Sequence, residues 1–341
     1  MTRGWLITRG DSSDSDMSVE LVDLTDDELR PGENDVGDVT VDVTWSSLNY
    51  KDALAFAGNR GVVRVPRLVP GIDVVGTVAE STNPRWSPGD RVLLNGAGAG
   101  ETRHGGLAQR AVLDGSTLIA TPTALTDAQA AGIGTAGFTA MLAVLALEKH
   151  GVTEGDVLVT GASGGLGSFA IALLARAGFS VTAVTGRREN EQRLRELGAT
   201  AVIDRAELDR ESRPLESQRH AGVIDSVGGR SLATALSLLQ YNGAAVACGN
   251  AASGSLETTV MPFILRGVTL IGGNSSLVSS ALREQIWRRL SDDLDTEVVD
   301  RIAQPIELDA AREAARDLLA GTVTGRLSVR VTTDLVTQEQ P

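Results

Sequence analysis

Short apolar runs separated by glycine and polar breakers fill this chain, and their spacing changes near residue 126. Before that point Val36 to Trp45 alternates, with Val39, Val41 and Val43 on one face, which predicts a half-buried strand. Val74 to Val78 and Arg91 to Leu94 predict two more short strands. Pro70-Gly71, Pro88-Gly89-Asp90 and the glycine-rich run from Asn95 to Gly100 separate them. Residues 1–125 therefore predict a compact all-β or α+β unit.

From Asp127, with Thr126 as N-cap, helical periodicity takes over and Ala136 to Glu148 predicts a helix without an internal breaker. Strands and helices then alternate. Val157 to Thr160, Val181 to Val184, Ala201 to Ile203, Val223-Ile224, Ala244 to Ala247 and Val268 to Ile271 predict strands. Gly167 to Ala177, Glu189 to Leu197 and Ser231 to Gln240 predict the helices between them. Such alternation indicates a doubly wound parallel sheet over residues 126–275. In residues 276–341 two helices, Ala281 to Leu290 and Ala310 to Leu319, and a closing strand from Arg326 to Val331 predict a segment that partly returns to the first unit. The tail from Thr332 is expected to fray.

The run Thr160-Gly-Ala-Ser-Gly-Gly-Leu-Gly167 joins an apolar strand to a helix, as a dinucleotide-binding turn does. Gly161 serves the tight turn, Gly164 lets backbone approach a pyrophosphate, and Gly167 lets the helix sit against the strand. The helix N-terminus then faces the phosphates. The first glycine stands one position earlier than in a strict G-x-G-x-x-G. The second strand ends Val184-Thr185-Gly186-Arg187-Arg188, where an NAD site would place a carboxylate for the ribose 2′-hydroxyl. A small neutral residue followed by two guanidinium groups suits a 2′-phosphate instead, so NADPH is the expected cofactor.

Composition narrows the picture further. With 42% hydrophobic and 22% charged residues over 341, the chain can bury a core without disulfides. Its net charge of −13 opposes binding to nucleic acid or an anionic membrane. The single cysteine, Cys248, excludes an internal disulfide. The N-terminal residues turn acidic and Ser-rich by Asp11, unlike a signal peptide, and no window approaches 18 uninterrupted apolar residues, so a cytoplasmic protein is expected. One Cys and three His (His104, His150, His220) show no metal-ligand spacing, so no metal site is expected. Ser163 does not fit a hydrolase nucleophile elbow.

Ser46-Ser-Leu-Asn-Tyr50-Lys-Asp52, Pro70-Gly-Ile-Asp73, Gly134-Thr-Ala-Gly-Phe-Thr-Ala140, the 160–167 turn and Met261-Pro-Phe-Ile-Leu-Arg266 occur in that order over nearly the whole chain. Together they resemble the zinc-free quinone-reductase branch of the medium-chain dehydrogenases, and within it the acrylyl-CoA reductase group. The resemblance implies a GroES-like β-rich catalytic domain around a Rossmann domain, NADPH, a homodimer, and reduction of a carbon–carbon double bond conjugated to a thioester. By the motifs it also implies cofactor contacts at Tyr50, Ser163, Gly164, Gly165, Leu166, Thr185, Gly186, Arg187, Asn250, Ile264, Ser275 and Arg326. Of these, Asn250, Ile264 and Ser275 are expected at or beyond the carboxyl ends of late strands. Asn274 stands where this group would have Asp, which bears on substrate preference. Tyr50 is the candidate catalytic residue, donating to an enolate oxygen or orienting the nicotinamide. Arg60, Arg64 and Arg67 form a basic patch that would attract an acyl-CoA. A quinone or enone reductase with the same cofactor is the alternative reading, and a non-catalytic NADPH-binding sensor is the reading from another class.

Overall fold

The computed structural model describes residues 1–10, 17–30, 32 and 36–332. Of the tail expected to fray, residues 333–341 lie outside the described residues. The chain divides into two compact units. The first comprises residues 1–135, 276–288 and 303–341, and the second residues 136–275 and 289–302.

In chain order the first unit supplies strands β1 (Thr2–Thr8), β2 (Ser18–Leu24) and β3 (Val39–Leu48), then helix α1 (Tyr50–Phe56). Strands β4 (Arg67–Leu68), β5 (Asp73–Ser81), β6 (Arg91–Asn95), β7 (Arg110–Leu113) and β8 (Ile119–Ala120) follow. Helix α2 (Asp127–His150) begins in the first unit and continues in the second. Its N-terminus closes as a capping box: Gln129 N donates to Thr126 Oγ1 at 3.2 Å, and Thr126 N to Gln129 Oε1 at 3.1 Å. The second unit continues with β9 (Asp156–Val159), α3 (Gly165–Arg176), β10 (Ser180–Thr185), α4 (Glu191–Glu196), β11 (Ala201–Asp204), β12 (His220–Asp225), α5 (Gly229–Leu238), β13 (Leu239–Ala247), α6 (Met261–Arg266) and β14 (Thr269–Gly272). Helix α7 (Ser280–Asp293) runs from the first unit's residues into the second's, and α8 (Thr296–Ile302) packs on α3. The chain then adds β15 (Ala303–Glu307), α9 (Ala311–Leu319) and β16 (Arg326–Arg330) to the first unit.

Among the described residues the first unit holds two sheets. One runs β2-β1-β4, and the other runs β15-β16-β3-β5-β6-β8 with β7 also paired to β3. The returning strand β16 pairs antiparallel with β3, Leu327 opposite Leu48, so the last segment does rejoin the first. Val39, Val41 and Val43 are buried as their alternation requires. Strands β1 and β2 and helix α1 are elements that the hydrophobic pattern did not announce. Helix α1 is anchored by its buried face: Phe56 meets Trp5 edge-on at 5.4 Å, and the Trp5 indole donates to the Leu308 carbonyl at 2.7 Å.

The second unit is one parallel sheet in the order β11-β10-β9-β12-β13-β14. That is the doubly wound dinucleotide-binding order, with its topological switch between β9 and β12. Val157, Leu158 and Val159 are all fully buried, as expected of a strand covered on both faces.

The expectation drawn from apolar run length needs refinement. Helix α2 is long and apolar enough to cross a bilayer although polar residues interrupt it, but most of that stretch is packed inside the protein.

Candidate functional site

At the switch point the ends of β9 and β12 are stitched together. Thr160 Oγ1 donates to Asp225 Oδ1 at 2.6 Å, Ser226 N donates to Thr160 Oγ1 at 3.1 Å, and Gly228 N donates to Asp225 Oδ2 at 2.8 Å. Burial pushes the Asp225 carboxyl up, against the pull of these hydrogen bonds. The chain turns at Gly161, where φ is +60° and a Cβ would meet Ser226 Oγ at 2.3 Å. At Gly167 a Cβ would meet Gly161 O at 2.5 Å, so the glycine allows α3 to press on the turn. Gly164, by contrast, has only Gly161 O near its missing Cβ, at 3.4 Å. It is the N-cap of α3 and offers no side chain, so the first-turn N–H groups, with Gly165 and Leu166 leading, are left for an incoming acceptor. Strand, turn, open approach and uncapped helix are the parts that a pyrophosphate requires.

The cofactor-choosing strand end adjoins this turn. Ser163 and Thr185 are both buried, and their hydroxyls hydrogen-bond at 2.7 Å, while Arg187 N donates to Thr185 Oγ1 at 3.1 Å. Two arginines that the sequence reading did not single out join Arg187. Arg193, on α4, donates to Ser168 Oγ in the first turn of α3 at 3.2 Å; burial, then the charge of Arg187, lowers its pKa. The Arg205 side chain lies against Gly186, where a Cβ would come within 2.7 Å of it. A cluster of guanidinium groups next to an uncapped helix N-terminus fits a dinucleotide with an extra phosphate. Arg188 instead points outward, 3.7 Å from Asp204.

Asn250 follows the carboxyl end of β13, and Ser275 follows that of the adjacent β14. Ile264 sits elsewhere. Its helix α6 leads into the amino end of β14, and Arg266 at the end of α6 donates to the Ser237 and Leu239 carbonyls, where β13 begins. Its expected place beyond a carboxyl end is therefore corrected: the short helix has already crossed back before Ile264, whose side chain is 69% exposed. Cys248 lies beside Gly273, and burial followed by the charge of Asp225 pushes its thiol up to about 12, so it is no nucleophile at neutral pH.

In the first unit Tyr50 opens α1 and is 41% exposed, above a buried polar platform. The centre of the platform is Asp73. It accepts hydrogen bonds from Asn49 Nδ2 (2.9 Å), Asn95 Nδ2 (2.7 Å), Thr135 Oγ1 (2.6 Å) and N (2.9 Å), Arg326 Nη2 (2.7 Å), and the Ser47 hydroxyl. Burial opposes its charge, yet Arg326 and these donors outweigh burial and hold the carboxyl below its usual range. Arg326 is 4% exposed and spends both Nη atoms here, also donating to Leu48 O and Asn49 Oδ1; only its Nε is without a partner. Helix α2 reaches the platform because it breaks at Gly134, φ +43°, which frees Thr135 N for Asp73; a Cβ there would meet Arg326 Nη2 at 2.5 Å. The Ser46–Asp52, Pro70–Asp73 and Gly134–Ala140 motifs thus build one cluster.

Asp52 completes the cluster, accepting from Asn49 N at 2.8 Å and Ile72 N at 2.9 Å. Burial first, then the charge of Asp73, pushes its carboxyl from an ordinary 3.8 up to about 6. The folded protein therefore holds this proton more tightly than the unfolded chain. Stability from this group is full below pH 3.8 and is lost as pH rises towards 6. Asp52→Asn is expected to remove that loss: urea unfolding at pH 4 and pH 7 should differ less than in the parent, by on the order of 3 kcal/mol.

The basic patch does not hold together. Arg67 pairs with Glu28 at 2.6 Å and Arg64 Nε donates to the Gly61 carbonyl at 3.0 Å, which leaves Arg60 to face a different set of neighbours. No group of three or more His, Cys, Asp or Glu side chains among the described residues could hold a metal ion.

Family comparison agrees with this architecture. The alcohol dehydrogenase GroES-like domain matches residues 35–144, and the zinc-binding dehydrogenase domain matches residues 165–292. The donor set just described does not fit the zinc of the second description. The chain is 48% identical over 297 residues to the probable acrylyl-CoA reductase AcuI of Escherichia coli, covering 86% of this chain and 91% of that protein. It is 45% identical over 299 residues to the acrylyl-CoA reductase AcuI of Ruegeria pomeroyi, covering 87% and 91%. The crystal structure of the yhdH oxidoreductase from Salmonella enterica in complex with NADP superposes with a TM-score of 0.92 at 44% identity, covering 97% of this chain and all of that one.

Proposed function

This chain belongs to the zinc-free medium-chain dehydrogenase/reductase family, in the branch of quinone oxidoreductases and acrylyl-CoA reductases, and from that membership we propose that it reduces the conjugated double bond of a short enoyl thioester, of the acrylyl-CoA type, with NADPH. The observation that carries the cofactor is the arginine cluster Arg187, Arg193 and Arg205 beside the uncapped start of α3. When bound, NADPH supplies hydride to the β-carbon of the acceptor. The α3 amides would hold the pyrophosphate and the arginines the 2′-phosphate, while the Ser163–Thr185 hydrogen bond keeps the two segments in register. Asn250, Ser275 and Arg326 are carried as further cofactor contacts on their motifs, and Ile264, placed elsewhere by its helix, is not. Between hydride delivery and uptake of a proton from solvent water at the α-carbon, the thioester oxygen would carry negative charge. Tyr50, exposed at the start of α1, would donate a hydrogen bond to that oxygen and keep its proton.

Tyr50→Phe is expected to lower the single-turnover rate of NADPH oxidation by acrylyl-CoA by roughly a hundredfold, as for loss of one oxyanion donor. An unchanged rate removes the hydroxyl from the chemistry. Comparing kcat/KM for acrylyl-CoA and a quinone tests the substrate class. A higher value for the quinone replaces the thioester reading, and NADPH binding without turnover of either marks a sensor.

A cytoplasmic homodimer completes the proposal. Strand β14 is an open sheet edge, and Val260, Ile264 and Leu265 beside it are exposed, which suits pairing with a second copy. Light scattering that gives a monomer mass would discard it.

A further inference from the structure

The first unit contains a groove of about 580 Å³ between α1, β2 and α9. Met17, Ala57 and Leu319 supply its accessible apolar surface, over buried Ala53 and Phe56 of α1, and Arg60, Arg312 and Arg316 supply three guanidinium groups. None of the described residues that line it carries a carboxylate. That is unusual for a chain of net charge −13. Arg312 is half-buried and fixed in place by donating to the Val19 carbonyl at 3.1 Å. Arg316, one helical turn further along α9, is exposed, and its guanidinium has no hydrogen-bond or ion-pair partner among the described residues. Arg60 arrives from the loop after α1. Apolar surface bordered by several guanidinium groups is what a purine with attached phosphates requires.

The groove lies along the same helix that Tyr50 opens. From Tyr50 to Phe56 the helix rises only about 9 Å. A pantetheine arm, comparable in length to about five extended residues, spans roughly 17 Å. A ligand with its thioester at Tyr50 can therefore place a phosphorylated nucleotide in the groove. We propose that this arginine groove is the handle site for the 3′-phosphoadenosine diphosphate end of the acyl-CoA, set by Arg312 and Arg316 with Arg60. The inference rests on the thioester reading for its ligand, and on the groove alone for its location.

The test uses two substrates with the same reacting group, acrylyl-CoA and acrylyl-pantetheine, the second lacking every phosphate. Loss of one charge-assisted hydrogen bond is expected to raise KM for acrylyl-CoA about tenfold in Arg316→Gln, and further in Arg312→Gln/Arg316→Gln. Neither kcat nor kcat/KM for acrylyl-pantetheine should change. Equal effects on both substrates, or none on either, overturn the proposal. Arg316 is exposed, so its single variant keeps the fold even if the double variant does not. Calorimetry with adenosine 3′,5′-bisphosphate separates the two claims. Binding that depends on the arginines in an enzyme that reduces no thioester upholds the groove and sinks the proposed activity. Thioester reduction with binding indifferent to the arginines sinks the groove alone.

Discussion

Arg326→Met is expected to destabilise the protein by about 3–5 kcal/mol, the cost of leaving a buried carboxylate without its cation. Asp73 is fully buried and Asp52 lies beside it; Arg326 is the guanidinium in direct contact with Asp73, and Arg283 adds its charge from farther off. Burial lowers the arginine's own pKa, but a guanidinium stays protonated in protein interiors, so the pair remains charged. Urea denaturation should show a lower midpoint with an unchanged slope. The double variant Asp73→Asn/Arg326→Met should recover part of the loss, because no charge is then stranded. A single variant within about 1 kcal/mol of the parent would mean that the neutral donors alone hold Asp73. Measuring NADPH affinity on the same variant separates support of the α1 platform from direct cofactor contact: weak binding in a stable variant would favour contact.

The second large effect is on cofactor choice. Replacing Arg187 and Arg205 together with serine should reduce the NADPH:NADH ratio of kcat/KM by roughly a hundredfold or more, since each charge-assisted bond to a phosphate contributes about 1.5–3 kcal/mol. Activity with NADH should hardly move, because the turn and the α3 N-terminus are untouched. An unchanged ratio would show that the 2′-phosphate is held elsewhere. Arg193, tied to Ser168, is expected to contribute less on its own, since that bond partly fixes it in place without ligand.

The second unit was legible in sequence because its central strands β9 and β12 are largely buried and read as short apolar runs, with glycine close after β9, β10, β12 and β13. The phosphate turn was legible for the same reason, with Gly161 and Gly167 each meeting a local steric demand. The first unit was less so. Strand β1 mixes Arg3, Gly4 and Thr8 with its apolar residues, and α1 is too short for a helical period to register. Arg193 and Arg205 were missed because they come from later elements, α4 and the turn after β11, which only the sheet order brings back to the end of β10. The patch Arg60-Arg64-Arg67 misled in the opposite way. Neighbours in sequence found separate partners, whereas Arg60 shares its groove with arginines from α9, more than two hundred positions away.

The break in α2 also constrains how such a sequence can drift. Any side chain at 134 collides with the Asp73–Arg326 pair, and loss of the acceptor at 73 strands the amide released at Thr135. Ser47, Asp73, Gly134 and Arg326 therefore share one set of contacts, so that replacing one of them disturbs the others.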